Sequence, residues 1–207
     1  VLFRSPAAPI SFVGMPSDAR AHAEWNGILL EPGAAGRRHE LRACVFRRLS
    51  VGVQDAAANT LIERCAFCNC GTAVNAGLAF HDDRVLVGAA HGASRIRFCR
   101  FGWCEVAMQL GFHSRAEATR CWFLECELGI QTSSDEDVQQ ILERCEFEAC
   151  AVCVAGTCCV TNCIFERNGV LFRTVGGDLT VRTRNLCAQC RILMDGAPTE
   201  GQGLLLQ

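Results

Sequence analysis

Hydrophobic and polar positions alternate along this chain with a short period nested inside a long one. The tripeptide Cys-x-Phe occurs as Cys44-Val45-Phe46, Cys65-Ala66-Phe67, Cys99-Arg100-Phe101, Cys121-Trp122-Phe123, Cys145-Glu146-Phe147 and Cys163-Ile164-Phe165. Successive Phe residues lie 21, 34, 22, 24 and 18 positions apart. A unit near 21 residues therefore repeats with one insertion, and repetition on this scale signals stacked structural units.

The register continues past each Phe. Three residues on stand Leu49, Cys70, Cys104, Cys126, Cys150 and Asn168, and seven on stand Val53, Val74, Met108, Ile130, Val154 and Phe172. The column five on (Val51, Thr72, Val106, Leu128, Val152, Val170) is also free of charge, so these columns, with Cys and Phe, read as the buried lining. The residues one before, one after, two after and four after the Phe carry the charges and face water. An alternation with period two predicts strands, so each unit is expected to hold two short strands joined by a bend near the fourth residue after Phe. A degenerate unit follows at Cys187, Cys190, Ile192 and Met194, and an earlier one is expected within Ile10 to Phe12 and Trp25 to Leu30. A leucine-rich repeat is disfavoured, because only Ser134 to Asp137 offers a helix-opening cap.

Such units resemble the coils of right-handed parallel β-helix proteins of the pectin-lyase-like fold. The resemblance runs over roughly residues 9 to 195 and rests on segments such as Arg64 to Val74 and Asn162 to Val170, with Trp25-Asn26-Gly27-Ile28 similar to an opening common in bacterial surface β-helix repeats. It implies an all-β, right-handed parallel β-helix solenoid of about 7–8 coils with Cys and Phe ladders inside. Members of that fold include lyases, hydrolases, epimerases, phage tailspikes and modules without chemistry, so the resemblance specifies fold rather than function.

Composition narrows the classes. The chain has 207 residues, 50% hydrophobic and 20% charged, enough for one domain with a core. A net charge of -2 gives no electrostatic footprint for nucleic acid. The longest uncharged stretch, Ala149 to Phe165, falls short of a membrane-spanning helix. Lys and Tyr are absent, which fits a GC-rich genome. Residues 1–5, Val-Leu-Phe-Arg-Ser, match the translation of a short-read sequencing adapter and are set aside as a scar. The domain is then expected to span 6–207 and to be incomplete at its N-terminus, with completeness at the C-terminus left open and a loop insertion at 76–93. A stack cut from a longer solenoid is also expected to self-associate through unpaired strand edges.

The sixteen Cys are read mainly as core. Zinc needs four converging ligands, whereas ten Cys fall in two inward columns, so no metal site is expected. A full disulfide ladder is disfavoured because parallel side chains on neighbouring rungs keep their Cβ atoms too far apart. Cys68 and Cys153 in outward columns, and Cys158 and Cys159 at an expected bend, are the thiols predicted to react.

Candidate chemistry falls in two places. Stacked outward columns pair Glu148 with Glu166 and Glu105 with Glu127, at a spacing near 5 Å that would suit a retaining glycosidase, yet Arg is interspersed as on any solvated face. The insertion carries His81, Asp82, Asp83 and Arg84, with His91 beyond. Were the chain an enzyme, those four would be the catalytic candidates. The paired Asp is similar to that of pectin hydrolases, but the companion motifs are missing; calcium would enter only in a lyase-like mechanism, and no cofactor is otherwise expected. For binding, the candidates are Arg100, Trp103, Trp122 and Glu125, since exposed Trp stacks on sugar rings. The function expected is a non-catalytic β-helix module of a larger secreted or surface bacterial protein, a scaffold or a binder of polysaccharide or a surface protein. The alternative is a polysaccharide lyase or glycoside hydrolase with its site on the outer wall near the insertion.

Overall fold

The computed structural model describes residues 2–3, 8–14, 27–31, 38–56, 59–76, 78–81, 84–87, 93–110, 115–132, 140–156, 158–173, 180–181 and 185–195. These form an all-β parallel solenoid with Cys and Phe ladders buried inside it. Each coil contributes one strand to each of three eight-stranded sheets, so a residue is hydrogen-bonded to its counterpart one coil away. In one coil the three strands are Arg115–Thr119, Trp122–Leu124 and Leu128–Thr132; in the next they are Gln140–Glu143, Glu146–Glu148 and Val152–Ala155. The sheets are called the first, second and third walls in that order, and the Cys-x-Phe tripeptides reach the second.

Parallel register turns the repeated Phe into a stack. Phe12, Phe46, Phe67, Phe101, Phe123, Phe147 and Phe165 lie ring over ring, with centroids 4.4–5.1 Å apart and planes within 12° of parallel. Phe172 closes the column edge-on at 5.4 Å. The six rings from Phe46 to Phe165 are buried, so the stack supplies apolar burial and ring contact together.

The first wall is a third strand that the sequence pattern does not reveal. Its inward column five before Phe is apolar, as in Leu41, Ile62, Ile96, Ala118, Leu142 and Val160, but the column seven before holds His39, Thr60, Ser94, Ala116, Gln140 and Cys158. Polar residues survive there because they are hydrogen-bonded: Gln140 Oε1 accepts from Ala116 N, and Thr60 and Ser94 hydroxyls donate to Asp55.

The third wall corrects the expected lining. The column five after Phe is half-buried in five of its six positions, whereas the column six after, with Gly52, Ala73, Ala107, Gly129, Cys153 and Leu171, is buried beside the seventh. The ladder pairs Val106 with Thr72 and Met108 with Val74 and skips the residue between, so two consecutive side chains turn inward there. That inner column is narrow. A Cβ on Gly129 would stand 2.6 Å from the Cys153 carbonyl oxygen and 2.9 Å from the Phe147 ring.

Two corners per coil carry the chain around the second wall. Three residues before and two after the Phe of each Cys-x-Phe tripeptide, the backbone is left-handed, with φ of 50–57° at Arg64, Phe98, Arg120 and Arg144 and at Asn69, Trp103, Glu125 and Ala149 among others. None of these is glycine, and each such residue costs about 1–2 kcal/mol of backbone strain. The corner amides recover a partner in the next coil: Phe98 N donates to Thr119 O, and Trp103 N donates to Leu124 O. Cys follows most of these corners and its thiol donates weakly to the coil before, as Cys121 does to Ile96 O. Asn185 replaces Cys in that column and Asn168 in the column three after Phe, and their amides make the same bridges to Val160 O and Phe147 O.

The insertion is not wholly irregular: Leu78–His81 and Arg84–Val87 pair antiparallel as a hairpin. Leu2–Phe3 pairs with the first wall beside Glu40 and Leu41, so residues set aside as a scar join a sheet edge. The Ser134 to Asp137 cap and Trp25 lie outside the described residues.

The Phe stack generates a stability prediction. Phe123→Ala should cost about 3–5 kcal/mol through the cavity it opens, and exposed Glu127→Ala under about 0.5 kcal/mol. Urea titration of both variants measures the difference, and equal losses would contradict the register.

Candidate functional site

The second wall and its two corners gather the chemistry that faces solvent. Each tripeptide directs its middle residue outward, the residue after Phe also points out, and the left-handed corners aim their side chains away from the core. Residues of unlike coils thereby become neighbours.

On the upstream corner, a groove of about 530 Å3 crosses three coils. It is lined by Phe98, Arg120 and Arg144 from the corner column and by Arg100, Trp122 and Glu146 from the strand. The Arg100 guanidinium lies 5.7 Å from the Trp122 ring centroid and that of Arg120 lies 5.4 Å from Phe98. Cations stacked on ring faces are held in place without a carboxylate partner and keep donors for another group. On the downstream corner a second groove of about 470 Å3 is lined by Arg47, Arg48, Cys68, Asn69 and Trp103. Trp103 is 53% exposed, and its indole Nε1 donates to Glu125 Oε2 at 3.1 Å.

The four binding candidates therefore fall into two pairs. Arg100 and Trp122 meet in the first groove, while Trp103 and Glu125 meet on the opposite edge of the wall. Sequence reasoning missed Phe98, Arg120 and Arg144, although their position three before each Phe was a readable column. It also missed Arg47 and Arg48 as groove residues.

The carboxylate pairs are arranged as a solvated face. Glu148 and Glu166 are register neighbours, and Arg167 bridges both. On the first wall, Arg42 pairs with Glu40 and Glu63, and Arg95 and Arg115 pair with Glu117. Of the enzymatic candidates, His81 stands opposite Arg84 in the hairpin register. Asp82 and Asp83 lie outside the described residues, as does His91. One buried carboxylate was not anticipated: Asp55, fully enclosed, accepts hydrogen bonds from Thr60 and Ser94.

The cysteines are free thiols. Among the described residues, no group of three or more His, Cys, Asp or Glu is arranged to hold a metal. Cys153 and Cys158 are fully buried and Cys159 nearly so, which corrects their expected reactivity: Cys153 falls in the narrow inner column, and Cys158 and Cys159 lie in a strand of the first wall rather than at a bend. Cys68 is half-exposed as expected. Burial pushes the Cys68 thiol up, opposed by the nearby Arg47 and Arg48. Deep in the ladders, burial holds Cys99, Cys121 and Cys158 well above the ordinary thiol value of 9.0. Cys65 and Cys126 are held below that value instead, Cys65 chiefly by the neighbouring thiols of Cys44 and then Cys99, and Cys126 by those of Cys104 and Cys150.

Among the described residues no helix is long and apolar enough to cross a membrane. No protein-family model, curated protein or solved structure matches the chain.

Two measurements follow from the thiols. A native-state thiol titration should modify Cys68, Cys187 and Cys190 and spare Cys153, Cys158 and Cys159 until the chain unfolds; early modification of Cys153 would contradict the inner column. The raised thiols stay neutral in the fold while unfolded cysteines ionise above 9.0, so the unfolded state binds fewer protons and stability falls as pH rises. They outnumber the two lowered ones, and the urea midpoint should drop between pH 8 and about pH 11. A flat profile over that window would contradict burial of neutral thiols.

Proposed function

We propose that this chain is a non-catalytic solenoid module of a larger secreted or surface bacterial protein, presenting its second wall as the binding face for a polysaccharide or a surface protein. One observation carries the reading. Among the described residues, every exposed large hydrophobic side chain belongs to that wall or its corners: Val13, Phe98, Trp103, Ile164 and Leu186. Both grooves open there as well. Exposed apolar side chains gathered on one face mark an interaction surface, and Trp and Arg are the residues that most often dominate binding energy.

The backbone adds support. Phe98 and Trp103 occupy left-handed corners, where a bulky residue is strained, and both project into water. Neither side chain is accounted for by core packing. The cation layer above the rings suits an anionic or hydroxyl-rich ligand, with Arg supplying directed donors and Trp122 an apolar face.

Affinity electrophoresis through gels containing neutral or uronate-bearing polysaccharides tests the reading. The wild-type chain should be retarded, and Trp103→Ala/Trp122→Ala should migrate freely with an unchanged far-UV spectrum. Retardation of both proteins alike would overturn the assignment of the wall. Release of new reducing ends would favour the lyase or hydrolase alternative instead.

A further inference from the structure

The second wall is built to fit itself, and the geometry points to a second copy of this chain as its partner, packed wall to wall about a two-fold axis parallel to the solenoid. This inference rests on the reading of that wall as the binding face: a second copy and a polysaccharide compete for it, so gel retardation is read at protein concentrations below those that hold the dimer.

A two-fold axis in that direction keeps each coil at its own height and exchanges the two edges of the wall, so the corner column three before Phe faces the column two after it, and the two strand columns face one another. In the central coils the columns are complementary under this exchange. Trp103, protruding on one edge, comes opposite Phe98, which opens the first groove on the other. One coil further, Glu125 comes opposite Arg120, and Leu124 opposite Trp122. The knob and the cradle that receives it thus belong to the same two coils, and symmetry makes the contact twice. The knob is already fixed, since Trp103 Nε1 is bonded to Glu125, and the cradle is fixed by Arg120 over Phe98 and Arg100 over Trp122. Groups held in place before association lose little freedom on binding.

The flanking coils permit the same arrangement. Glu146 comes opposite Glu148, but Arg167 is bonded to Glu148 and Arg144 lines the groove beside Glu146. Toward the other end, Arg47 and Arg64 come opposite the small or neutral Val45 and Asn69. Area agrees as well. Eight strands at about 4.8 Å spacing make the wall about 34 Å long, and its six residues from corner to corner make it about 17 Å wide, so two copies bury on the order of 1,200 Å2, the lower end of a specific interface.

The experiment is sedimentation velocity on the full chain from about 1 to about 100 µM. The wild type should sediment as a dimer. R120E and E125R each place like charges at both central contacts and should weaken the dimer about 100-fold, leaving monomers with an unchanged far-UV spectrum. Mixed in equal amounts, the two variants should form a heterodimer, because opposite charges then face each other at both contacts. Three results would overturn the inference: a monomeric wild type, association unchanged by either substitution (the behaviour of strand edges joining end to end), or no recovery on mixing. Gel retardation separates this inference from the reading beneath it. A monomer that polysaccharide still retards, with retardation lost in W103A/W122A, overturns the dimer alone; a monomer that none retards removes the binding face as well.

Discussion

In-register stacking of one coil on the next is the constraint on which the rest of this structure depends. Because each strand pairs in parallel with its counterpart, every residue lies one rung from the residue at the same place in the repeat, and a column must tolerate its own kind at that distance. Phe satisfies this by lying ring over ring, with Phe123 and Phe147 only 4.4 Å apart. Cys satisfies it by being small, apolar and able to donate weakly to a carbonyl of the neighbouring coil. The inner column of the third wall satisfies it differently: where the rings reach furthest across the interior, Gly52 and Gly129 leave the room that Phe67 and Phe147 fill.

The same constraint explains why Asn stands in for Cys at two places that look like breaks in the repeat. A corner in the left-handed region turns the chain sharply and leaves an amide and a carbonyl of adjacent coils to be joined. Asn168 accepts from Cys150 N and donates to Phe147 O, and Asn185 accepts from Cys163 N and donates to Val160 O. A thiol makes only the weaker donation to the same class of carbonyl. Buried Asn here is a stronger version of the cysteine bridge, fully satisfied and therefore tolerated inside the core.

These particulars decide what was legible in the sequence. The second wall was, because strong apolar and charged positions alternate around Cys-x-Phe with no exception the period cannot absorb. The first wall was not, because its inward positions include His39, Thr60, Ser94 and Gln140, whose burial depends on hydrogen bonds that no hydropathy pattern records. The third wall was misaligned because strict alternation was extended through a kink where Gly129 and Ile130 both turn inward. The downstream corner was placed by the break in alternation near the fourth residue after Phe, while the upstream corner left almost no trace: Ala, Arg, Asn, Phe, Trp, Glu and Gln all occupy corners, so no residue preference announces the turn. For the site, Arg100 and Trp122 were readable as outward residues, while their meeting with Phe98 and Arg120 required the corner geometry.

That geometry bears on why aromatics stand where they do. Backbone at a corner is left-handed whatever residue occupies it, and Asn or Gly would bear this at lower cost than a ring. In the core, a ring repays such strain through burial, but Phe98 and Trp103 are 43% and 53% exposed and recover only part of it from Arg120 and Glu125. Their contribution to stability is thus smaller than that of any buried Phe, while the surface they offer to an incoming partner is larger. Residues that cost the fold something and return little to it are the ones for which the proposed partner would give a reason, and both lie in a coil where the proposed dimer brings the two edges of the wall together.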